Sequence, residues 1–302
     1  MASNAAVTEL IYLTFKKGVK PEDPENYEGR VFTEALEAVK LHSGYLYSSW
    51  GRTVEDENDI VWLVAWKDAT SSVPLSQISS ILAPSSAPIT IHTTLTPPVH
   101  LKDLTTTPIV ELAILPFPSA LPFEQKSFIE SSLSNLRTAL LGICPSDDEE
   151  DDPTTKEHHQ HHHQHQHHQH QHQHHHEAQK PSSSPSRTKL AKQGPPGWLS
   201  LGWVERPRTV EHADSPSGEA ELTILVIGWE SIQEHEAAMG TDDFEKAFAP
   251  VRAKMLPGIK VLEMRYVRFG EEDGSPRTRG EERWGGKGEG EGEGRSVGNE
   301  HV

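Results

Sequence analysis

The sequence predicts an α+β fold built from two ferredoxin-like β-α-β-β-α-β repeats, and three observations support this prediction. Residues 222–227 form an uninterrupted apolar run rich in β-branched side chains, which is typical of a strand covered on both faces. Apolar residues then recur at helical spacing, and an alternating pattern follows at residues 261–269. A weaker version of the same pattern occurs earlier in the chain, around residues 59–71.

The first repeat occupies residues 1–100 and contains four strands and two helices. The strands are predicted at residues 8–15, 45–50, 60–66 and 89–95. One helix is predicted at residues 27–41, where apolar side chains fall on one side, and a shorter one at residues 72–82. Residues 97–107 are predicted to be a linker.

The second repeat occupies residues 107–270 and follows the same plan. Three matches relate it to the first repeat: residues 111–117 (ELAILPF) to 9–15 (ELIYLTF), residues 197–203 (GWLSLGW) to 44–50 (GYLYSSW), and Trp229 to Trp66. The length differences between the repeats fall in the connections, where chains tolerate insertions. This distribution indicates one unit used twice.

Helix signals complete the second repeat. A helix is predicted at residues 122–141, with Phe128 on its apolar face. Ser231 is the predicted N-cap of the next helix, in a capping box with a glutamate three residues later. A second such pair begins at Asp242 and restarts the helix, and the Pro-Gly pair at residues 257–258 ends it.

Two segments have compositions that cannot form a core. An insert at residues 143–195 contains an acidic run, then 13 histidines and six glutamines within residues 158–176, then a Pro/Ser segment. The tail at residues 271–302 is rich in Gly and Glu. Both are predicted to be disordered. Imidazoles at this density would bind Zn, Ni or Cu, but without a fixed spacing the tract is better interpreted as a low-complexity expansion.

Bulk properties restrict the function. The formal net charge of -17 argues against a nucleic-acid-binding surface. The single cysteine, Cys144, excludes an internal disulfide and suits a reducing compartment. The sequence shows neither a signal peptide nor an apolar run of membrane-spanning length. An intracellular, cytoplasmic protein without nucleic-acid or membrane partners is therefore predicted.

The β-α-β-β-α-β plan, the spacing of Trp198 and Trp203, and the sequence GWES followed by His235 resemble the antibiotic-biosynthesis-monooxygenase domain of the dimeric α+β barrel superfamily. The resemblance covers residues 7–95 and 107–269 without the insert. It implies two four-stranded antiparallel sheets that close into a barrel with helices outside. Because one chain carries both repeats, it implies a monomer with an internal pseudo-dimer, which could still associate further.

The resemblance also implies candidate site residues. His235 is the candidate general base, because its reference pKa is near neutrality; the alternative is a helix-surface histidine between two glutamates. Trp198, Trp203, Trp229 and Tyr266 could line a flat pocket for a planar phenolic ligand, although each could equally pack in the core. Ser72 aligns with His235 in the first repeat, and a structural role is predicted for His92.

Two functions remain open from the sequence. The superfamily contains cofactor-independent monooxygenases, haem-degrading enzymes, polyketide cyclases and members with no shown activity. One hypothesis is a monooxygenase or related enzyme acting on a planar phenolic small molecule. No cofactor or metal is predicted, because neither G-x-G-x-x-G after a strand nor H-E-x-x-H is present. The other hypothesis is a non-catalytic stress-response or binding barrel with disordered interaction arms.

Overall fold

The structure is a computed structural model that describes residues 6–84, 86–142 and 196–270. The predicted insert at 143–195, including Cys144 and the histidine tract, and the predicted tail at 271–302 lie outside the described residues. No helix in the described ranges is long and apolar enough to cross a lipid bilayer.

The described residues form nine strands and five α-helices, and the protein belongs to the α+β class. The strands of the described residues are β1 (Val7–Thr14), β2 (Tyr45–Thr53), β3 (Asp59–Trp66), β4 (Ile89–Thr93), β5 (Ile109–Pro118), β6 (Trp198–Arg206), β7 (Val210–Glu211), β8 (Glu219–Trp229) and β9 (Arg265–Phe269). The helices are α1 (Tyr27–Lys40), α2 (Leu101–Thr106), α3 (Phe123–Leu140), α4 (Ile232–Met239) and α5 (Asp242–Arg252).

Eight of these strands form a closed antiparallel barrel. Their order is β5-β9-β2-β3-β1-β4-β6-β8, and β8 pairs back onto β5. In the first half β1 lies between β3 and β4, and in the second half β5 lies between β8 and β9. The halves join where β2 pairs with β9 and where β4 pairs with β6. The prediction of a barrel closed within one chain is confirmed.

Glycine allows close backbone approach at both joins between the halves. A Cβ atom at Gly51 in β2 would lie 2.1 Å from the carbonyl oxygen of Arg268 in β9. A Cβ atom at Gly202 in β6 would lie 2.3 Å from the carbonyl oxygen of Thr94, which directly follows β4. Both joins therefore require glycine, because any other residue would place a side chain against the neighbouring backbone.

The apolar core is arranged in three layers because successive strand residues point to opposite faces of the sheet. Val110 and Leu112 of β5 contribute to the barrel interior, whereas Phe117 belongs to the layer under α3 and α5. A third layer lies between the first-half strands and α1, which contributes Phe32 and Val39. The outer faces of both halves are thus covered, and a polar residue placed there is removed from water.

Several predicted boundaries are wrong. Residues 72–82 contain only a 3₁₀ turn, Leu75–Ile78, which directly follows Pro74. The predicted linker contains α2, whose start is stabilised by a capping box between His100 and Asp103. The predicted strand at 261–269 begins only at Arg265, after another 3₁₀ turn.

The helices of the second half also differ in detail. Thr241, and not Asp242, caps α5, since its hydroxyl accepts from the Phe244 amide. The helix ends at Arg252, before the Pro-Gly pair. Phe128 does not join the buried face of α3, because its side chain is 48% exposed. The N-cap role predicted for Ser231 is confirmed by its hydrogen bond from the Glu234 amide.

Candidate functional site

A carboxyl group is buried between the sheet and the helices of the second half. Glu111 lies on the outer face of β5 and is only 4% exposed. Its Oε2 accepts a hydrogen bond of 2.8 Å from the indole N–H of Trp229 at the end of β8. No donor in the described part of the chain reaches its other oxygen, Oε1. Oε1 is not among the fully buried unpartnered atoms, so it remains accessible to a donor from outside the chain. A carboxyl of this kind beside a cavity is a candidate functional group.

An imidazole and a phenol extend this group into a chain of polar contacts. His235 lies in the first turns of α4 and is 6% exposed. Its Nε2 is 3.5 Å from Glu111 Oε2, and its Nδ1 is 2.5 Å from the hydroxyl of Tyr266. Tyr266 is directly opposite Glu111 in the β5–β9 register. The ring of Trp229 meets the imidazole edge-on, with centroids 5.2 Å apart.

The environment sets the protonation of all three groups. Burial raises the pKa of Glu111 to about 7, and the hydrogen bond from Trp229 opposes this rise. Burial lowers the pKa of His235, against the opposing charge of Glu236. Burial, and then the nearby Glu111, raises the pKa of Tyr266 to about 12. Near neutral pH the phenol and the imidazole are therefore both uncharged, and the tautomer of His235 decides which of them donates in this contact.

The chain of polar contacts borders a cavity of about 170 Å³ between the sheet and helices α3, α4 and α5. Most of its lining is apolar. The lining residues are Glu111, Ala113, Ile114, Leu115, Leu136, Leu140, Leu225, Ile227, Trp229, His235, Met239, Phe244, Phe248 and Met264. Met239 and Met264 are 41% and 39% exposed, so they form an apolar rim of flexible side chains.

The structure brings together three of the five residues singled out by sequence. Trp229 and Tyr266 contact His235. Trp198 packs against the barrel interior, and its indole N–H donates to the Thr107 hydroxyl. Trp203 donates to Glu130 and lies against other side chains of the outer layer. Neither Trp198 nor Trp203 is part of the lining of this cavity.

The first half contains a corresponding carboxyl, but its hydrogen bonds are complete. Glu9 accepts from the indole N–H of Trp66 at 2.7 Å, from the hydroxyl of Ser72 and from the amide of Val73 at 3.1 Å. His92 lies opposite Glu9 in the β1–β4 register, with Nε2 3.4 Å from Oε1. Ser72 contacts Glu9 in the first half, and His235 lies near Glu111 in the second. Burial lowers the pKa of His92, which suits the predicted structural role.

Sequence reasoning missed Glu111 as a functional group. It served only to align ELAILPF with ELIYLTF. A usable signal was present, because a charged residue inside an otherwise apolar strand has to be buried and partnered. The same signal also identifies Glu9.

A larger cavity of about 350 Å³ lies where β2 meets β9. Arg52 in its wall binds both oxygens of Glu22, so the charges of this pair compensate each other. We place the site at the smaller cavity, because only there does a buried carboxyl with a raised pKa meet an imidazole.

No protein-family model matches the sequence, and no curated protein matches it significantly. Among solved structures, the chain is similar to a protein of Lactobacillus acidophilus provisionally named a monooxygenase, with 7% identity, TM-score 0.42, and coverage of 89% of this chain and 97% of that one. It is also similar to an anthrone oxidase-like protein, with 12% identity, TM-score 0.44, and coverage of 89% and 92%.

A third similar structure is a protein of Fusobacterium nucleatum, also provisionally named a monooxygenase, with 7% identity, TM-score 0.45, and coverage of 89% and 94%. Similarity at this level does not identify a reaction. The fold is therefore assigned from the strand pairings, and the site from its own geometry.

Proposed function

We propose that this barrel is a monooxygenase-type enzyme that acts on a planar phenolic small molecule in the cavity beside Glu111 and His235, and that it needs no cofactor. The observation that carries the proposal is the free Oε1 of Glu111. It accepts no hydrogen bond from the described residues, and Glu111 lines an otherwise apolar cavity large enough for a ring. A substrate hydroxyl would supply the missing donor.

The proposed reaction begins with proton transfer from the substrate hydroxyl to Glu111 Oε1. A carboxyl whose pKa is about 7 is well matched to this role near neutral pH. The electron-rich phenolate then passes electrons to O2. One oxygen atom bonds to a ring carbon, which loses its hydrogen and becomes a quinone carbonyl, while the O–O bond breaks. The other oxygen atom leaves as water, which takes up the ring hydrogen and the proton held by Glu111.

His235 supports the carboxyl in this scheme. In the tautomer with its proton on Nε2, the imidazole N–H faces Glu111 Oε2 and stabilises the ionised form, while Tyr266 holds the ring from the other side. The sequence-based hypothesis made His235 the base itself. In the proposed scheme the two groups act as one base, and Glu111 receives the proton because its oxygen is free.

One observation favours the alternative, a non-catalytic binding barrel. Both ring nitrogens of His235 already face internal partners, as expected of a histidine with a structural role. Such a barrel would bind a phenol through Glu111 without oxidising it.

We also propose that the two halves are tandem copies of one β-α-β-β-α-β unit, and that the chain is a monomer with an internal pseudo-dimer. Two features support the common origin. The strand orders correspond, since β4-β1-β3-β2 parallels β9-β5-β8-β6. The buried pairs Glu9–Trp66 and Glu111–Trp229 also correspond. Measurement of the mass in solution tests the oligomeric state.

The reaction is tested by oxygen uptake and product mass with a panel of phenols. We expect one oxygen atom from ¹⁸O2 in the product. Glu111→Gln should reduce turnover by a hundredfold or more, in the range of lost general-base catalysis, and His235→Ala should reduce it by less. Glu9→Gln, the matched change in the first half, should retain turnover. Phenol binding without any oxygen uptake would establish the binding barrel instead.

A further inference from the structure

The size of the second-half cavity restricts the ligand more than the resemblance to enzymes of polycyclic phenols does. Its volume is about 170 Å³. An apolar cavity of about 150 Å³ is known to hold a benzene molecule, whereas sites for drug-sized ligands begin near roughly 300 Å³. The volume of the cavity matches one aromatic ring, and a fused system of three would extend past the exposed rim of Met239 and Met264.

The lining also restricts the charge of the ligand. Among the described residues the lining contains neither Lys nor Arg, and burial lowers the pKa of His235, so no cationic side chain of this part of the chain faces the cavity. A carboxylate or phosphate would be buried without a counter-charge and beside Glu111, which is unfavourable on both counts.

The hydrogen-bonding group of the ligand follows from the free oxygen of the carboxyl. Glu111 Oε1 accepts no hydrogen bond from the described residues. A hydroxyl group carries a single donor, which matches this single free acceptor.

We propose that the substrate is a molecule with one aromatic ring and no anionic group, and that its single hydroxyl donates to Glu111 Oε1. This inference rests on the proposed function for the location of the site, and it adds the size, charge and hydrogen-bonding group of the molecule bound there.

The test is calorimetric titration of the full chain at pH 8 with four probes. Phenol is the reference. Anisole lacks the donor, 4-hydroxybenzoate adds a negative charge, and 2-hydroxyanthracene is a fused three-ring phenol. We expect phenol to bind at least about tenfold more tightly than anisole, as for a hydrogen bond to a charged acceptor. The other two probes should bind at least about a hundredfold more weakly than phenol.

A matched pair of variants tests whether the preference for phenol over anisole arises at Glu111. In Glu111→Gln the preference for phenol over anisole should fall to within about threefold, while Glu9→Gln should keep the wild-type preference. The thermal midpoint of each variant shows whether it is folded. If Glu111→Gln fails to fold, Ala113→Leu, which fills the cavity without touching the carboxyl, should abolish phenol binding.

Each result decides the inference. It is overturned if anisole, 4-hydroxybenzoate or 2-hydroxyanthracene binds as tightly as phenol, or if no probe binds. Selective phenol binding without oxygen uptake by any phenol would retain the inference and reject the oxygenase. Oxygen uptake with 2-hydroxyanthracene or 4-hydroxybenzoate, but not with phenol, would retain the oxygenase and reject the inference.

Discussion

The substitution Glu111→Gln should stabilise the protein at pH 8 and change its stability little at pH 5. Glutamine has nearly the shape of a protonated glutamate, and its carbonyl oxygen can still accept from Trp229. The carboxyl group of wild-type Glu111, in contrast, has to ionise inside the protein as the pH rises. Burial raises the pKa of Glu111 to about 7, from 4.5 for an ordinary glutamate.

The size of the expected change in unfolding free energy follows from these two pKa values. Between pH 4.5 and pH 7 the unfolded chain releases a proton that the folded protein retains, so the free energy of unfolding falls with rising pH. At about 1.4 kcal/mol for each pH unit, the loss is about 3 kcal/mol in full, most of it between pH 5 and pH 8. Above pH 7 both states are ionised and the loss is constant. Since burial also lowers the pKa of His235, protonation of the imidazole does not compensate.

The assay is urea unfolding of wild type and Glu111→Gln at pH 5 and pH 8. The difference between the two proteins cancels the titration of every other group. Glu9→Gln is the control, and we expect it to lose about 1–3 kcal/mol at both pH values, because Glu9 accepts from Trp66, Ser72 and Val73. A wild-type to Glu111→Gln difference that is the same at pH 5 and pH 8 would refute the reasoning.

Four further expectations follow from the same contacts. Turnover of a phenol should rise with pH to a plateau above about 7, because only ionised Glu111 accepts the proton; a flat profile across this range would contradict the role. Trp229→Phe should move the midpoint of this pH profile upward, because the indole N–H stabilises the carboxylate of Glu111. An unchanged midpoint in the same assay would argue against this stabilising role of the indole. Tyr266→Phe should lower the free energy of unfolding by about 1 kcal/mol in urea and leave the affinity for phenol within about threefold of wild type. An affinity loss as large as that of Glu111→Gln would show that the Tyr266 hydroxyl contacts the ligand. Gly51→Ala and Gly202→Ala should each destabilise the barrel by about 2 kcal/mol or more, since the new methyl meets backbone atoms, and wild-type unfolding midpoints would show that the joins are looser than described.

The strands of each half could be predicted from sequence because the barrel covers both of their faces. Residues 222–227 are apolar without alternation for this reason, and they lie in β8 as expected. The joins between the halves were implied only by the family resemblance. Periodicity reports which face of a strand is buried, but not which distant strand lies beside it, so the pairing of Gly51 with Phe269 left no local signal.

The candidate site could be predicted only in part, and alternation explains why. Trp198 and Trp203 are an odd number of residues apart on one strand, so their side chains point to opposite faces of the sheet and could not line one pocket. Trp229 and His235 were found because the helix after β8 begins at a recognisable cap, Ser231. The raised pKa of Glu111 could not be found, because it depends on the depth of burial under helices from other parts of the chain.

The two indole N–H groups that donate to the buried carboxyls provide the most direct test of the account. Trp229 reports on Glu111, and Trp66 reports on Glu9. In a titration with phenol followed by ¹H–¹⁵N NMR at pH 8, with the indole signals assigned by Trp→Phe variants, the signal of Trp229 should shift and saturate while that of Trp66 stays in place. If the signal of Trp229 does not move at saturating phenol, or that of Trp66 moves instead, then Glu111 does not mark the ligand site.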